Sequence, residues 1–163
     1  MNNHLVPENF NVPNNFESDI FKLKILSEEY AWVDYLAIIN NIDYLQAIKP
    51  FGTGNDWPPR DLSFEQDLED IRYHEEEFRN RKSFAYTVLN KDENKCLGCV
   101  YIYPSKNAFY DAVVLMWVIE NKNVNLDERL FSIIKKWISE VWPFNNVAYP
   151  GREISWQDFN KAA

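Results

Sequence analysis

Apolar and polar positions change period several times along the chain, and each change marks an element. Residues 21–26 alternate, with Phe21, Leu23 and Ile25 set against Lys22 and Lys24, the two-residue period of a half-buried strand. Ser27 stands where a helix N-cap would, followed by Glu28 and Glu29, acids that the positive end of a helix dipole favours. Trp32, Tyr35, Leu36 and Ile39 continue at helical spacing to about residue 40, and residues 42–48 read as a second short helix. Residues 49–61 carry Pro50, Gly52, Gly54, Pro58 and Pro59 and predict a loop. Ser63 and Gln66 make a capping box for the next helix. Phe64, Leu68, Ile71 and Phe78 mark its buried face.

Residues 83–90 and 95–103 predict a hairpin across Lys91-Asp92-Glu93-Asn94, and residues 111–119 predict a third strand of an antiparallel meander. The run from Val113 to Ile119 is apolar without a break, then gives way to the polar loop 120–124. A helix opens directly from that loop: Asn125 stands at its cap with Glu128 three residues on, as a capping box requires. Leu126, Leu130, Ile133, Ile134, Trp137, Ile138 and Val141 form a wide apolar stripe. Pro143 ends it, because the residue before a proline avoids the helical region. Residues 147–149 predict a short strand parallel to the third, reached by the helical crossover.

Residues 1–20 are polar and carry Pro7 and Pro13; they read as an N-terminal arm able to dock through Phe10 and Phe16. Residues 21–163 then form a single domain, the expected size for 163 residues. An aromatic content of 16% predicts a core built on Trp, Tyr and Phe. A net charge of −8 argues against nucleic acid and against an anionic membrane surface, and fits a cationic substrate or basic partner. No stretch reaches the length of a membrane span. The start has neither a basic nor an apolar signal region, and two cysteines fit a reducing, cytoplasmic setting.

A buried strand that feeds a loop ending at a helix start commonly holds an anion, since free backbone N–H groups point outward there. This loop has no glycine, and Asp127 and Glu128 stand at the helix start.

The order of strand, two helices, three-strand meander, helix and short strand resembles the GCN5-related N-acetyltransferase (GNAT) family. Residues 115–149 carry the most specific part. The ending Trp142-Pro143-Phe144 … Tyr149-Pro150-Gly151-Arg152-Glu153-Ile154-Ser155-Trp156 is similar to a group of short GNAT-like proteins. The likeness covers residues 21–156 as topology and the second half as sequence. It implies an α/β (α+β) fold with a GNAT-like acyl-CoA N-acyltransferase mixed sheet, an antiparallel meander flanked by helices, and a truncated C-terminal part. It also implies acetyl-CoA lying in a V between the third meander strand and the final short strand. Its pyrophosphate would be held by the N–H groups of a Gln/Arg-x-x-Gly-x-Gly/Ala loop.

Matched onto this chain, the loop is Lys122-Asn123-Val124-Asn125-Leu126-Asp127. Lys122 takes the basic position, while Asn125 and Asp127 replace the small residues. The cofactor-binding set implied is Trp117, Val118, Lys122, Asn123, Val124 and Asn125, with a backbone N–H near Val118 polarising the acyl carbonyl. Side chains in place of glycine crowd a phosphate. Asn125 can cap its own helix, and Asp127 and Glu128 repel a dianion that Lys122 offsets by one charge. About a dozen residues follow Pro150. The family's wall around the acceptor is therefore expected to be missing, or supplied by the arm or a second subunit.

Taking a proton from an incoming amine needs a base near the sheet centre. Asp111 and Glu120, at the two ends of the third meander strand, are the candidates, and Tyr149 is the candidate acid for the thiolate leaving group. Ordinary strand-end polarity is the plain reading of Asp111 and Glu120, and packing with a locally bonded hydroxyl that of Tyr149. Trp57, in Trp57-Pro58-Pro59-Arg60, and His74, in His74-Glu75-Glu76-Glu77, are the candidate substrate-binding residues; loop anchoring and a solvated helix shoulder are their plain readings. Cys96-Leu97-Gly98-Cys99 matches C-x-x-C, but no second pair completes a zinc site. Residues three apart in a regular strand also face opposite ways. The cysteines read as core, no metal is expected, and Gly98 reads as a bulge. Arg152 follows Gly151 and reaches either a phosphate or an internal acid such as Glu75–Glu77.

Three functions remain open. One is an acetyltransferase of a small amine, using acetyl-CoA. The second is a catalytically degenerate GNAT-like binding or scaffold protein. The third is a structural homodimer joined through its aromatic C-terminus.

Overall fold

The computed structural model describes residues 4–121 and 125–161. Six strands form one sheet in chain order: β1 (Asn15–Glu17), β2 (Lys22–Ile25), β3 (Phe84–Leu89), β4 (Cys96–Pro104), β5 (Ala112–Val118) and β6 (Val147–Ala148). Every neighbouring pair is antiparallel except β5 and β6, which run parallel. Helices α1 (Ala31–Ile39), α2 (Ile42–Ile48) and α3 (Phe64–Arg79) lie between β2 and β3, α4 (Leu126–Val141) crosses from β5 to β6, and α5 (Trp156–Lys161) follows β6.

Strand alternation assigns the two faces. Cys99 and Trp117 are directly opposed on β4 and β5, and their side chains lie on the face covered by α1 and α3. Cys99 reaches Asp34 of α1, and Tyr101 meets His74 of α3. The other face packs on α4, where Tyr86 meets Trp137 edge-on at 5.5 Å. The α4 stripe drives that packing: Leu130, Ile134, Trp137 and Ile138 are all buried, each contributing about 2 kcal/mol by burial. The unbroken apolar run of β5 follows from its central place, with all seven residues buried.

Three expectations change. Helix α1 starts after a 3-10 turn at Glu28–Tyr30, and Ser27 caps that turn without a side-chain hydrogen bond. Asn125 precedes α4 without capping it, so the predicted capping box fails there, whereas Ser63 and Gln66 form theirs on α3. The cysteines do not face opposite ways. Between β3 and β4 the register moves from Val88↔Gly98 to Leu89↔Cys96, leaving Leu97 as an extra, unopposed residue. Such a bulge resets the alternation and brings Cys96 and Cys99 to one face. The glycine beside it is required, because a Cβ on Gly98 would stand 2.0 Å from the Trp117 carbonyl oxygen.

The arm packs onto the domain and supplies the edge strand β1, which pairs with β2. Phe16 meets Trp137 at 5.1 Å and Phe10 meets Trp142 at 5.4 Å. The Tyr86 hydroxyl donates to the Pro13 carbonyl at 2.7 Å, and the Arg81 guanidinium donates to the carbonyls of Pro7 and Phe10. Among the described residues, no helix is long and apolar enough to cross a membrane.

Candidate functional site

Strands β5 and β6 pair at only two positions, Ala112↔Val147 and Val113↔Ala148. Beyond these they part. The cleft that opens, of about 220 Å³, has Leu115 and Met116 on one side and Pro150, Gly151 and Arg152 on the other. Tyr44 and Ile48 of α2, Lys49 and Pro50 of the following loop, and Trp156 of α5 complete it. The Trp156 ring also lies over Gly52 and Gly151, where added Cβ atoms would meet it at 3.1 and 3.0 Å. The residues after β6 thus wall this cleft, although none of them lines a second pocket, on the α3 side of the sheet.

Peptide direction along β5 follows from two contacts. The Met116 carbonyl accepts from Arg152 Nη2 at 3.4 Å, across the cleft. The Trp117 carbonyl points at Gly98 of β4. Alternation therefore turns the Met116 and Val118 peptide groups toward the cleft and the Trp117 group away from it.

Arg152 dominates the inner end of the cleft. Its Nη1 and Nη2 meet Asp127 Oδ2 and Oδ1 at 2.7 and 2.8 Å, a two-pronged ion pair at the first turn of α4. The guanidinium also stacks 5.2 Å from the Phe131 ring centroid. Its partner is internal, as one reading allowed, but it is Asp127 rather than Glu75–Glu77.

No family model and no curated protein matches this chain. Solved structures do match. A ribosomal-protein-S5-alanine acetyltransferase from Vibrio fischeri superposes with a TM-score of 0.65 at 13% identity, over 93% of this chain and 81% of that one. A microcin C7 self immunity acetyltransferase, in complex with acetyl-CoA and AMP, gives 0.57 at 19% identity, over 80% and 70%. A ribosomal L7/L12 α-N-protein acetyltransferase in complex with coenzyme A gives 0.56 at 15% identity, over 77% and 66%. The chain has the GNAT fold. At these identities the likeness carries the architecture, and the chemistry rests on the residues.

Within this GNAT fold the sequence-derived candidates separate. Lys122, Asn123 and Val124 lie outside the described residues. By alternation the Val118 peptide group faces the β6 side of β5, although the strand residues that line the cleft are Leu115 and Met116, whereas Trp117 turns both its carbonyl and its side chain away. The Trp117 indole is fully buried and donates to the Tyr101 hydroxyl at 2.9 Å. Asn125 stands at the start of α4 with its side chain off the helix N–H groups.

The catalytic candidates fare differently. Asp111 sits at the opposite end of β5 from the cleft, and its Oδ2 accepts from the backbone N–H groups of Asn145 and Asn146 at 2.7 and 2.9 Å. That carboxylate ties the start of β5 to the approach of β6 and is not placed to take a substrate proton. Tyr149 packs edge-on against Phe131 of α4 at 5.3 Å. Burial, then Glu153, raises its pKa, which weakens it as an acid, and it does not line the cleft. Glu120 is exposed past the end of β5, and its N–H donates to Asn41 Oδ1 at 3.1 Å. Its carboxylate acts on the Tyr44 hydroxyl from a distance but does not line the cleft either.

Trp57 and His74, far apart in sequence, line one pocket of about 400 Å³ on the α3 side of the sheet, together with Asp70, Tyr73 and Tyr103. The loop after α2 separates this pocket from the cleft: Lys49 and Pro50 face the cleft, Phe51 and Trp57 the pocket. Trp57 meets Phe51 edge-on and Trp117 at a tilt. His74 Nε2 lies 3.4 Å from Asp70 Oδ2, and its Nδ1 is buried without a partner. Aromatic faces beside an exposed carboxylate suit a cation.

Two further acids escaped the sequence reading. Asp34 and Asp67 are both buried, on α1 and α3. The signal was present: Asp34 shares the inward face of α1 with Ala31 and Ile38, and Asp67 shares that of α3 with Ile71 and His74. An acid at an inward helical position is seldom left without a reason.

Proposed function

We propose that this protein is an acetyl-CoA-dependent N-acetyltransferase acting on a small cationic amine. The observation that carries the reading is the parting of β5 from β6 after two residue pairs, which opens a cleft at the start of α4.

The fit to the cofactor divides along its length. The apolar walls at Leu115, Met116 and Pro150 suit an extended thioester arm. A volume of about 220 Å³ is below the several hundred Å³ usual for a whole bound ligand. At the inner end, Asp127 holds the place where a diphosphate would meet the helix start. Arg152 supplies the matching cation: a guanidinium pairs with phosphate as readily as with carboxylate, so releasing Asp127 frees it for a phosphate. Because Asn125 does not cap α4, its side chain does not compete for the helix N–H groups.

Bound acetyl-CoA would supply an activated acetyl thioester. The protein's part is to exclude water with the cleft walls and to aim the Val118 N–H at the acyl oxygen. The acceptor's cationic group would rest among Trp57, Tyr73 and Asp70. His74, with Nε2 beside Asp70, would fix that carboxylate for the cationic group.

A second reading, a GNAT-fold binding module without acyl transfer, is favoured by one observation, the Asp127–Arg152 pair inside the cleft. Calorimetric titration separates the two. Saturable binding of acetyl-CoA, with acetylated amine detected by mass spectrometry, supports the transferase. No heat at millimolar acetyl-CoA, for the wild type and for Asp127→Asn alike, leaves the module.

A further inference from the structure

The Leu97 bulge sets Cys96 and Cys99 side by side, and α1 brings Asp34 against them. The two sulfurs and one carboxylate oxygen all lie within 4.8 Å of one another, and all three residues are buried. Cys99 Sγ is 3.2 Å from Asp34 Oδ1. Zinc bonds of ~2.3 Å to sulfur and ~2.0 Å to oxygen place tetrahedral ligand atoms roughly 3.5–3.8 Å apart. One edge is 3.2 Å and every edge is at most 4.8 Å, so side-chain adjustments of about an ångström close the triangle around an ion.

Asp67 supplies an independent observation. It reaches in from α3 with only 4% of its surface exposed. Its carboxyl meets that of Asp34, yet its Oδ2 is buried and has no hydrogen-bond partner. An oxygen left in that state is costly unless a ligand satisfies it. Among the described residues, no lysine or arginine forms an ion pair with Asp34 or Asp67. Buried acids without a cation hold on to their protons.

We propose that Cys96, Cys99 and Asp34 form a zinc site, with Asp67 backing Asp34, that ties α1 to β4. The donor set selects the ion. Two sulfurs exclude magnesium and calcium, which take oxygen ligands, and a mixed sulfur–oxygen tetrahedron suits zinc. Three protein ligands hold the ion, and Asp67 orients the Asp34 carboxylate behind it. Binding displaces the thiol and carboxyl protons to solvent and changes no oxidation state. The site lies on the sheet face away from α4, and the proposal is independent of whether the cleft binds acetyl-CoA.

The test uses the purified full chain. Elemental analysis should find one zinc per chain, removable by a chelator, with a fall in melting temperature that added zinc reverses. Cobalt(II) added to the metal-free protein should saturate at one equivalent, with the visible bands of a tetrahedral site and the near-ultraviolet charge-transfer band of thiolate coordination. Zinc should abolish both. Cys99→Ser should weaken zinc binding by more than ~tenfold, and Asp67→Asn by about tenfold, the loss typical for a group that supports a metal site. The cobalt spectrum of the wild type does not depend on the variants folding. Absence of zinc together with an octahedral or featureless cobalt spectrum would overturn the proposal. So would a Cys96–Cys99 disulfide in the isolated protein, seen as a mass two hydrogens lower before reduction.

Discussion

Arg152 and Asp127 meet as a two-pronged pair, at 2.7 and 2.8 Å, inside the cleft between β5 and β6. The chain turns sharply at Gly151, where φ is +80°, and this turn sends the arginine back across the strands it has just left. The same guanidinium reaches the Met116 carbonyl. One side chain therefore bridges both walls of the cleft and the start of α4.

Replacing Asp127 with Asn should raise the affinity for acetyl-CoA about three- to tenfold. It removes a carboxylate from the positive end of α4, worth up to ~1 kcal/mol, and frees Arg152. Arg152→Ala should act in the opposite direction, weakening binding at least ~tenfold. The pair is partly exposed, with side chains 20% and 36% accessible, so either change should cost about 1 kcal/mol or less in stability. Isothermal titration with acetyl-CoA, beside a thermal melt, checks both numbers.

Asp70→Asn addresses the acceptor pocket. Its carboxylate is the exposed partner of His74, and an exposed cationic contact of this kind contributes about 1 kcal/mol. The Michaelis constant for a cationic amine should rise about five- to tenfold while the dissociation constant for acetyl-CoA stays put. A matched shift in both constants would place Asp70 outside the acceptor site.

Gly98→Ala should destabilise strongly. The added Cβ meets the Trp117 carbonyl oxygen at 2.0 Å and the Val118 Cα at 3.0 Å. These are backbone atoms that cannot rotate away, so β4 and β5 must separate locally. A loss of about 3 kcal/mol, read as a lower denaturant midpoint, is expected. A variant as stable as the wild type would show that the bulge relaxes freely.

Tyr86→Phe tests how the arm is held. The hydroxyl donates to the Pro13 carbonyl at 2.7 Å, and its removal should cost about 1 kcal/mol. Limited proteolysis should show faster cutting within the first twenty residues, while the rest of the chain remains protected.

Much of the architecture was legible from local pattern. Helix α2 and the Ser63–Gln66 box appear where the sequence places them. The hairpin, the α4 stripe and the parallel final strand also appear, because each depends on a period or a turn within a few residues. Trp57 and His74 stood out by residue type, but only the tertiary structure brings them to one pocket. Helix α5 was missed, being six residues long with one buried side chain and no stripe to reveal it. The edge strand β1 was missed because its pairing is with β2, not with its own sequence.

What the amino-acid order determined alone is therefore the set of elements and their succession, since hydrophobic period, caps and prolines act over one or two turns of chain. The tertiary structure decided which side chains meet. Arg152 found Asp127 twenty-five positions away, Asp111 was taken up by the backbone of Asn145 and Asn146, and one extra residue at Leu97 turned two cysteines toward Asp34 and Asp67. Those contacts depend on strand register and on how far β5 and β6 part, and a shift of one residue in register reverses the face of every side chain beyond it.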